Sequence, residues 1–195
     1  MNTNYRMRLL GHHHRSALES GWQRAFRLRS KSERVHVAAV CYRLHEGKLE
    51  FLLVQTRNGH WTFPKGGVDR DLTNADAAAR EAYEEAGVTG WVEATPFVSY
   101  LHCKPGRLRS RSGPMLVDAH LCEVKRLVPP LEGHRNPTWF TTAKAKRRLR
   151  KLRTPVYATE VVRVIDHATD RILLRHPEAN RVRRVLNYSP ALWTF

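Results

Sequence analysis

Apolar residues run along this chain in short blocks, and the period of the blocks changes from one segment to the next. Val35 to Leu44 (VHVAAVCYRL) is rich in β-branched and small apolar residues and predicts a central strand. His45-Glu46-Gly47-Lys48 predicts a turn and Leu49 to Gln55 (LEFLLVQ) a second strand, so the two form a hairpin. Asn58-Gly59 marks another turn, before a short strand from Trp61 to Phe63 that leads into Pro64. From Asn74 the period lengthens to that of a helix, with Asn74 as N-cap and Gly87 as the stop. Trp91 to Leu101 and Pro114 to Val124 predict two further strands, separated by the basic, turn-rich stretch Lys104 to Arg111. Lys125 to Asn136, with Pro129-Pro130 and Gly133, predicts a loop, and Trp139-Phe140 ends a short strand. Thr142 to Leu152 predicts a very basic helix; Thr154 or Pro155 opens a longer one with Val156, Val161, Val162, Val164 and Ile165 among its apolar positions. Ser16 to Leu28 is patterned for a helix, with Leu18, Trp22 and Phe26 at four-residue spacing, while His176 to Phe195 reads as irregular. The order of elements predicts an α/β fold in which a mixed β-sheet packs between helices, an α/β/α sandwich. We divide the chain into a basic extension (1–33), a central domain (34–170) and a basic tail (171–195).

Within the helical block, Glu81, Glu84 and Glu85 share one face, because positions i, i+3 and i+4 fall within a sector of roughly 100°. Ala75, Ala78, Ala79, Ala82, Tyr83 and Ala86 fill a different sector and are expected to pack on the sheet. Three like charges on one face repel unless something neutralises them. A hard cation such as Mg²⁺ takes oxygen ligands and does so.

The whole stretch from Gly66 to Val88 (GGVDRDLTNADAAAREAYEEAGV) closely resembles the Nudix box. The family pattern is Gly, five residues, Glu, seven residues, Arg-Glu, an aliphatic residue, any residue, Glu-Glu, any residue, Gly and an aliphatic residue. Gly66 stands fourteen positions before Arg80, as the pattern requires, and Phe63-Pro64-Lys65 precede it. The pattern's first Glu is here Leu72, with Asp69 and Asp71 beside it as nearby carboxylates. The resemblance covers about residues 34–168. It implies the Nudix fold and hydrolysis of a diphosphate linkage, with Mg²⁺ (Mn²⁺ as the alternative) held by Glu81, Glu84, Glu85 and the Gly66 carbonyl. Glu84 and Glu85 are then the catalytic carboxylates, and Arg80 orients a box glutamate through an ion pair. A downstream Glu that contributes in many relatives is here Thr138, and Glu132 is the nearest acidic residue upstream.

Two flanking features resemble particular groups. Trp61-Thr62-Phe63-Pro64-Lys65-Gly66 is similar to the entry of the box in diadenosine polyphosphate hydrolases, diphosphoinositol polyphosphate phosphohydrolases and mRNA decapping enzymes. The tail from Trp139-Phe140 to Pro155-Val156-Tyr157-Ala158 is similar to the diphosphoinositol group. That likeness implies phosphate-binding roles for Arg57, Lys65, Arg107, Arg109 and Arg111. Three readings stand side by side. One is hydrolysis of diphosphoinositol or dinucleoside polyphosphates. The second is removal of pyrophosphate or cap from RNA 5′ ends. The third is a non-catalytic Nudix-fold sensor.

Composition narrows the setting. At 195 residues and 42% hydrophobic, the chain has the size for one domain with a core plus extensions. No apolar run approaches the roughly eighteen residues of a membrane span, and the first residues lack a signal-peptide apolar core. Cys41, Cys103 and Cys122 are widely spaced and are read as lying in strand-like segments, as expected of buried free thiols in a reducing cytoplasm. His12-His13-His14 is expected to be solvated. The net charge of +16 is unevenly spread. Residues 1–34 carry eight basic and two acidic side chains, 35–103 six and nine, and 104–195 twenty and seven. Positive charge thus surrounds an acidic metal segment, as suits a polyphosphorylated ligand or a nucleic acid.

Overall fold

The computed structural model describes residues 35–102, 115–151 and 153–177. The expected Ser16–Leu28 helix, Cys103, the 104–111 loop and the last eighteen residues lie outside them. Eight strands form one mixed sheet. β1 (His36–His45) pairs antiparallel with β2 (Lys48–Gln55), through a turn in which Glu46 and Gly47 take positive φ of 49° and 69°. β3 (Trp61–Thr62) adds to β2, and β4 (Lys65–Gly67) pairs with the start of β1. β7 (Met115–Leu127) lies parallel to β1, with His36 opposite Val117 and Cys41 opposite Cys122. β5 (Val88–Val92) and β6 (Val98–His102) both pair antiparallel with β7, and β8 (Thr138–Thr141) pairs with β2.

The alternation of β1 divides the core. Val37, Ala39 and Cys41 face α1 (Asn74–Ala86) and its Ala77, Ala78, Ala82 and Ala86. Ala38, Val40 and Tyr42 face α2 (Thr142–Arg150) and α3 (Pro155–Arg175), meeting Leu149, Val161, Ile165 and Ile172. Helices cover both faces, as the pattern predicted. The Cys122 thiol beside it, together with burial, holds the Cys41 thiol well above its ordinary 9.0.

Four details differ from the sequence reading. The N-cap of α1 is Thr73, one residue before Asn74, because its hydroxyl both accepts from Asp76 N at 3.1 Å and donates to Asp76 Oδ2 at 2.6 Å. Tyr83, expected on the packed face, is 40% exposed, and Ala77 takes its place in the core. The single strand expected over Trp91 to Leu101 is two. Residues 93–97 loop out between Val92, opposite Cys122, and Val98, opposite Ala119. That loop turns the buried Glu93 carboxylate to Arg171 (2.9 Å) and Arg175 (2.5 Å) on α3. The same contacts carry α3 five residues past position 170, so residues 171–175 belong to the helix.

Candidate active site

The site lies where β1 and β7 begin and β4 crosses beside them. Gly66 pairs with Val37 there, and α1 returns over the sheet so that Glu81 comes down on β4. A Cβ on Gly66 would stand 1.9 Å from Glu81 Oε1, so only glycine leaves room for this carboxylate. Arg80 is anchored by Asp69 at 2.5 Å and the Gly67 carbonyl at 3.4 Å. Glu81 and Glu84 stand at 3.9 Å from it, so its tightest ion pair is with Asp69. Leu72, at the departure from the box pattern, packs against the α1-side core, and Asp71 is exposed.

Glu85 is the most enclosed of the three glutamates, at 2% exposure. Its Oε1 meets Arg135 at 2.5 Å, while Oε2 is buried with no hydrogen-bond partner. Burial pushes its pKa from 4.5 up to about 7, opposed by Lys65 and Arg135 and helped by Glu81. Glu81 is raised too, by burial and then by Glu84. An orphaned buried oxygen, a carboxylate seated where a Cβ would sit, and a donor set of carboxylate and carbonyl oxygens fit a hard divalent cation. Among the described residues, no three acidic, imidazole or thiol side chains stand close enough together to hold an ion by themselves, so an ion here would need the backbone carbonyl and several waters among its ligands.

A cleft of about 710 Å³ opens beside this face. Arg57, Lys65, Gly66 and Glu85 line it, as does Arg135, which sits in a short 3-10 turn (Gly133–Arg135). Arg153 closes another side, its guanidinium donating to the Trp61 carbonyl at 2.8 Å and to the Leu149 carbonyl. Burial lowers Arg153 from its ordinary value. It lowers Lys65 as well, where Glu85 opposes the shift and Arg135 and Arg153 add to it. Four cations and one carboxylate, the deeply buried Glu85, thus line the same cleft. His36, His60 and His102 also line it.

The expected Arg57 and Lys65 are thus in the cleft, whereas Arg107, Arg109 and Arg111 lie outside the described residues. Glu132 comes to the rim, bonded to Arg135 at 2.6 Å and tied by its N–H to the Glu84 carbonyl at 2.9 Å. Thr138 instead turns its hydroxyl to the Asn136 carbonyl at 3.0 Å. Sequence reasoning singled out none of Arg135, Arg153 and the three histidines. The one available signal was the high basic content after residue 104.

Residues 34–159 match the NUDIX domain family. The chain belongs to the Nudix family. Nudix hydrolase 17, mitochondrial, of Arabidopsis thaliana is 40% identical to it over 84 residues, or 39% of this chain and 46% of that protein. The asymmetrical bis(5′-nucleosyl)-tetraphosphatase of Caenorhabditis elegans is 50% identical over 52 residues, or 26% of this chain and 38% of that one. The chain spans less than half the length of either relative. The solved structure of a C. elegans Ap4A hydrolase binary complex superposes with a TM-score of 0.53 at 24% identity, over 72% of this chain and 98% of that chain. At that identity the likeness establishes the Nudix fold.

Proposed function

We propose that this Nudix protein is a metal-dependent pyrophosphohydrolase that cuts phosphoanhydride bonds in dinucleoside polyphosphates and diphosphoinositol polyphosphates. One observation carries the reading. Glu85, with an unpartnered buried oxygen, shares a cleft with Arg57, Lys65, Arg135 and Arg153. Cations outnumber carboxylates in the cleft lining, which calls for an anionic ligand, and arginine forks suit phosphate oxygens. The asymmetrical tetraphosphatase among the relatives supports the dinucleoside class.

Glu81, Glu84, Glu85 and the Gly66 carbonyl would hold Mg²⁺, with Mn²⁺ as a substitute. The bound ion supplies Lewis-acid polarisation and an acidified water. Lys65, Arg135 and Arg153 hold the phosphates on either side of the bond, and exposed Arg57 takes an outlying one at the rim. Charge that develops on the phosphoryl oxygens meets fixed cations in a part-buried site, where they act most strongly. Arg80, pinned by Asp69, keeps Glu81 and Glu84 oriented from 3.9 Å. Glu84, the most exposed of the three at 38%, accepts the proton of the attacking water. No helix among the described residues is long and apolar enough to cross a membrane. We place the enzyme in the cytoplasm, where free thiols such as Cys41 and Cys122 persist.

The test is a panel of diadenosine polyphosphates, diphosphoinositol phosphates and triphosphorylated RNA with Mg²⁺, with products identified by mass spectrometry. Turnover of a small polyphosphate that is abolished by Glu84→Gln supports the reading. No turnover of any member by the wild type sinks it.

A further inference from the structure

Away from the cleft, the second helix carries a charge pattern that nothing in the hydrolytic site uses. Ala145 and Leu149 are its buried residues, and both are fully enclosed. Lys144, Arg147, Arg148 and Lys151 follow one another at i, i+3, i+4 and i+7, which sets them on a single sector of roughly 100°. All four are exposed. Lys144, Arg147 and Lys151 have no carboxylate partner among the described residues, and Arg148 lies 5.8 Å from the Phe140 ring. Residues 142–153 contain no acidic side chain at all. Like charges at these spacings destabilise a helix by about 0.2–0.5 kcal/mol per pair, so the stripe works against the element that carries it.

We propose that this stripe docks the phosphate backbone of a single-stranded nucleic acid. Three features select that partner. The charges form a ladder with about 5–6 Å between neighbouring side chains, which matches a polymer of repeating negative charge better than a single anionic group. Half-buried Trp61 stands beside the ladder, packed edge-on to Phe140 at 4.8 Å, and offers a surface for a base to stack on. A membrane surface is disfavoured because the exposed face of α2 holds no large apolar side chain to insert. The proposal does not depend on the hydrolytic reading, since binding of a strand with a 5′-hydroxyl end needs no turnover.

The experiment is fluorescence anisotropy of the full chain with a 5′-hydroxyl, single-stranded RNA oligonucleotide across a salt series. Lys144→Gln/Arg147→Gln/Lys151→Gln is compared with a control triple, Lys48→Gln/Lys125→Gln/Arg126→Gln, whose positions are equally exposed. The α2 triple is expected to bind about tenfold more weakly near 0.1 M salt, with the slope of log K against log salt falling by about 2. The double Lys144→Gln/Arg147→Gln gives an intermediate slope, and the control triple stays near wild type. Turnover of diadenosine tetraphosphate is unchanged in the α2 triple. Equal loss in the two triples overturns the proposal, because the binding is then a property of net charge alone. Tighter binding of a polyglutamate peptide than of RNA, lost in the α2 triple, overturns it in favour of an acidic protein partner.

Discussion

Replacing Gly66 with alanine separates the work of the site from the work of the fold. The new Cβ would stand 1.9 Å from Glu81 Oε1, 2.3 Å from Cδ and 2.7 Å from Oε2. Cβ atoms do not approach within 3.0 Å of heavy atoms, so the carboxylate must withdraw by about 1.1 Å. The displaced group is the flexible end of a side chain, and a strained rotamer costs about 0.5–1.5 kcal/mol. Gly66 is not among the positive-φ residues, so alanine also narrows the unfolded ensemble and returns about 0.4–1 kcal/mol. The two nearly cancel, and Tm should stay within about 4 °C of wild type. A 1 Å displacement of a catalytic group, by contrast, lowers rate by about a hundredfold. The assay pairs calorimetry with kcat/KM for diadenosine tetraphosphate at saturating Mg²⁺. If kcat/KM stays within about threefold of wild type, Glu81 need not sit where it does and the reasoning fails. A Tm loss above about 10 °C would refute it differently, by making Gly66 a residue of the fold.

Gly87→Ala should do the reverse. Its φ of 65° and a Cβ 1.8 Å from the Val128 carbonyl oxygen leave no flexible group to yield, so unfolding by denaturant should show a loss of about 2–4 kcal/mol. In EDTA, Glu85 has a folded pKa of about 7 against an ordinary 4.5, so its contribution is greatest below 4.5 and is lost as pH rises through 7. Glu85→Gln should therefore gain up to about 3 kcal/mol on the wild type between pH 4.5 and 8 in metal-free unfolding curves, and a flat difference would contradict the burial argument. Arg153→Met removes a cleft cation that has no carboxylate partner among the described residues, and kcat/KM for a polyphosphate should fall about tenfold or more. Unchanged kinetics would remove Arg153 from the site.

The metal face was readable because three glutamates on one helix obey a local period, and the strands around it because each carries its own apolar run. Arg135 was not, since it lies fifty residues after Glu85 and is brought to it by long-range bonds such as that from the Glu132 N–H to the Glu84 carbonyl. Arg153 reads as one more charge after a basic helix until β3 offers it the Trp61 carbonyl. The break at residues 93–97 had a local signal, Pro96, which has no N–H to give to a strand ladder, and the sequence reading passed over it. What no local pattern encodes is Glu93 meeting Arg171 and Arg175, about eighty positions downstream. Tyr83 shows the opposite limit: the helical period placed it near the packed face, but a phenol ring does not fit where alanines set a close helix-to-sheet approach.

Those alanines have a wider consequence. Ala77, Ala78, Ala82 and Ala86 act as shims between α1 and the sheet, and the same helix carries Glu81 to Gly66 and Glu85 into the cleft. A larger residue at any of them would lift the helix and its carboxylates together. The usual route to a sturdier protein, filling the interior with bulkier side chains, is thus closed on this face. Here the thickness of the core and the reach of the catalytic groups are one dimension, and neither can drift without the other.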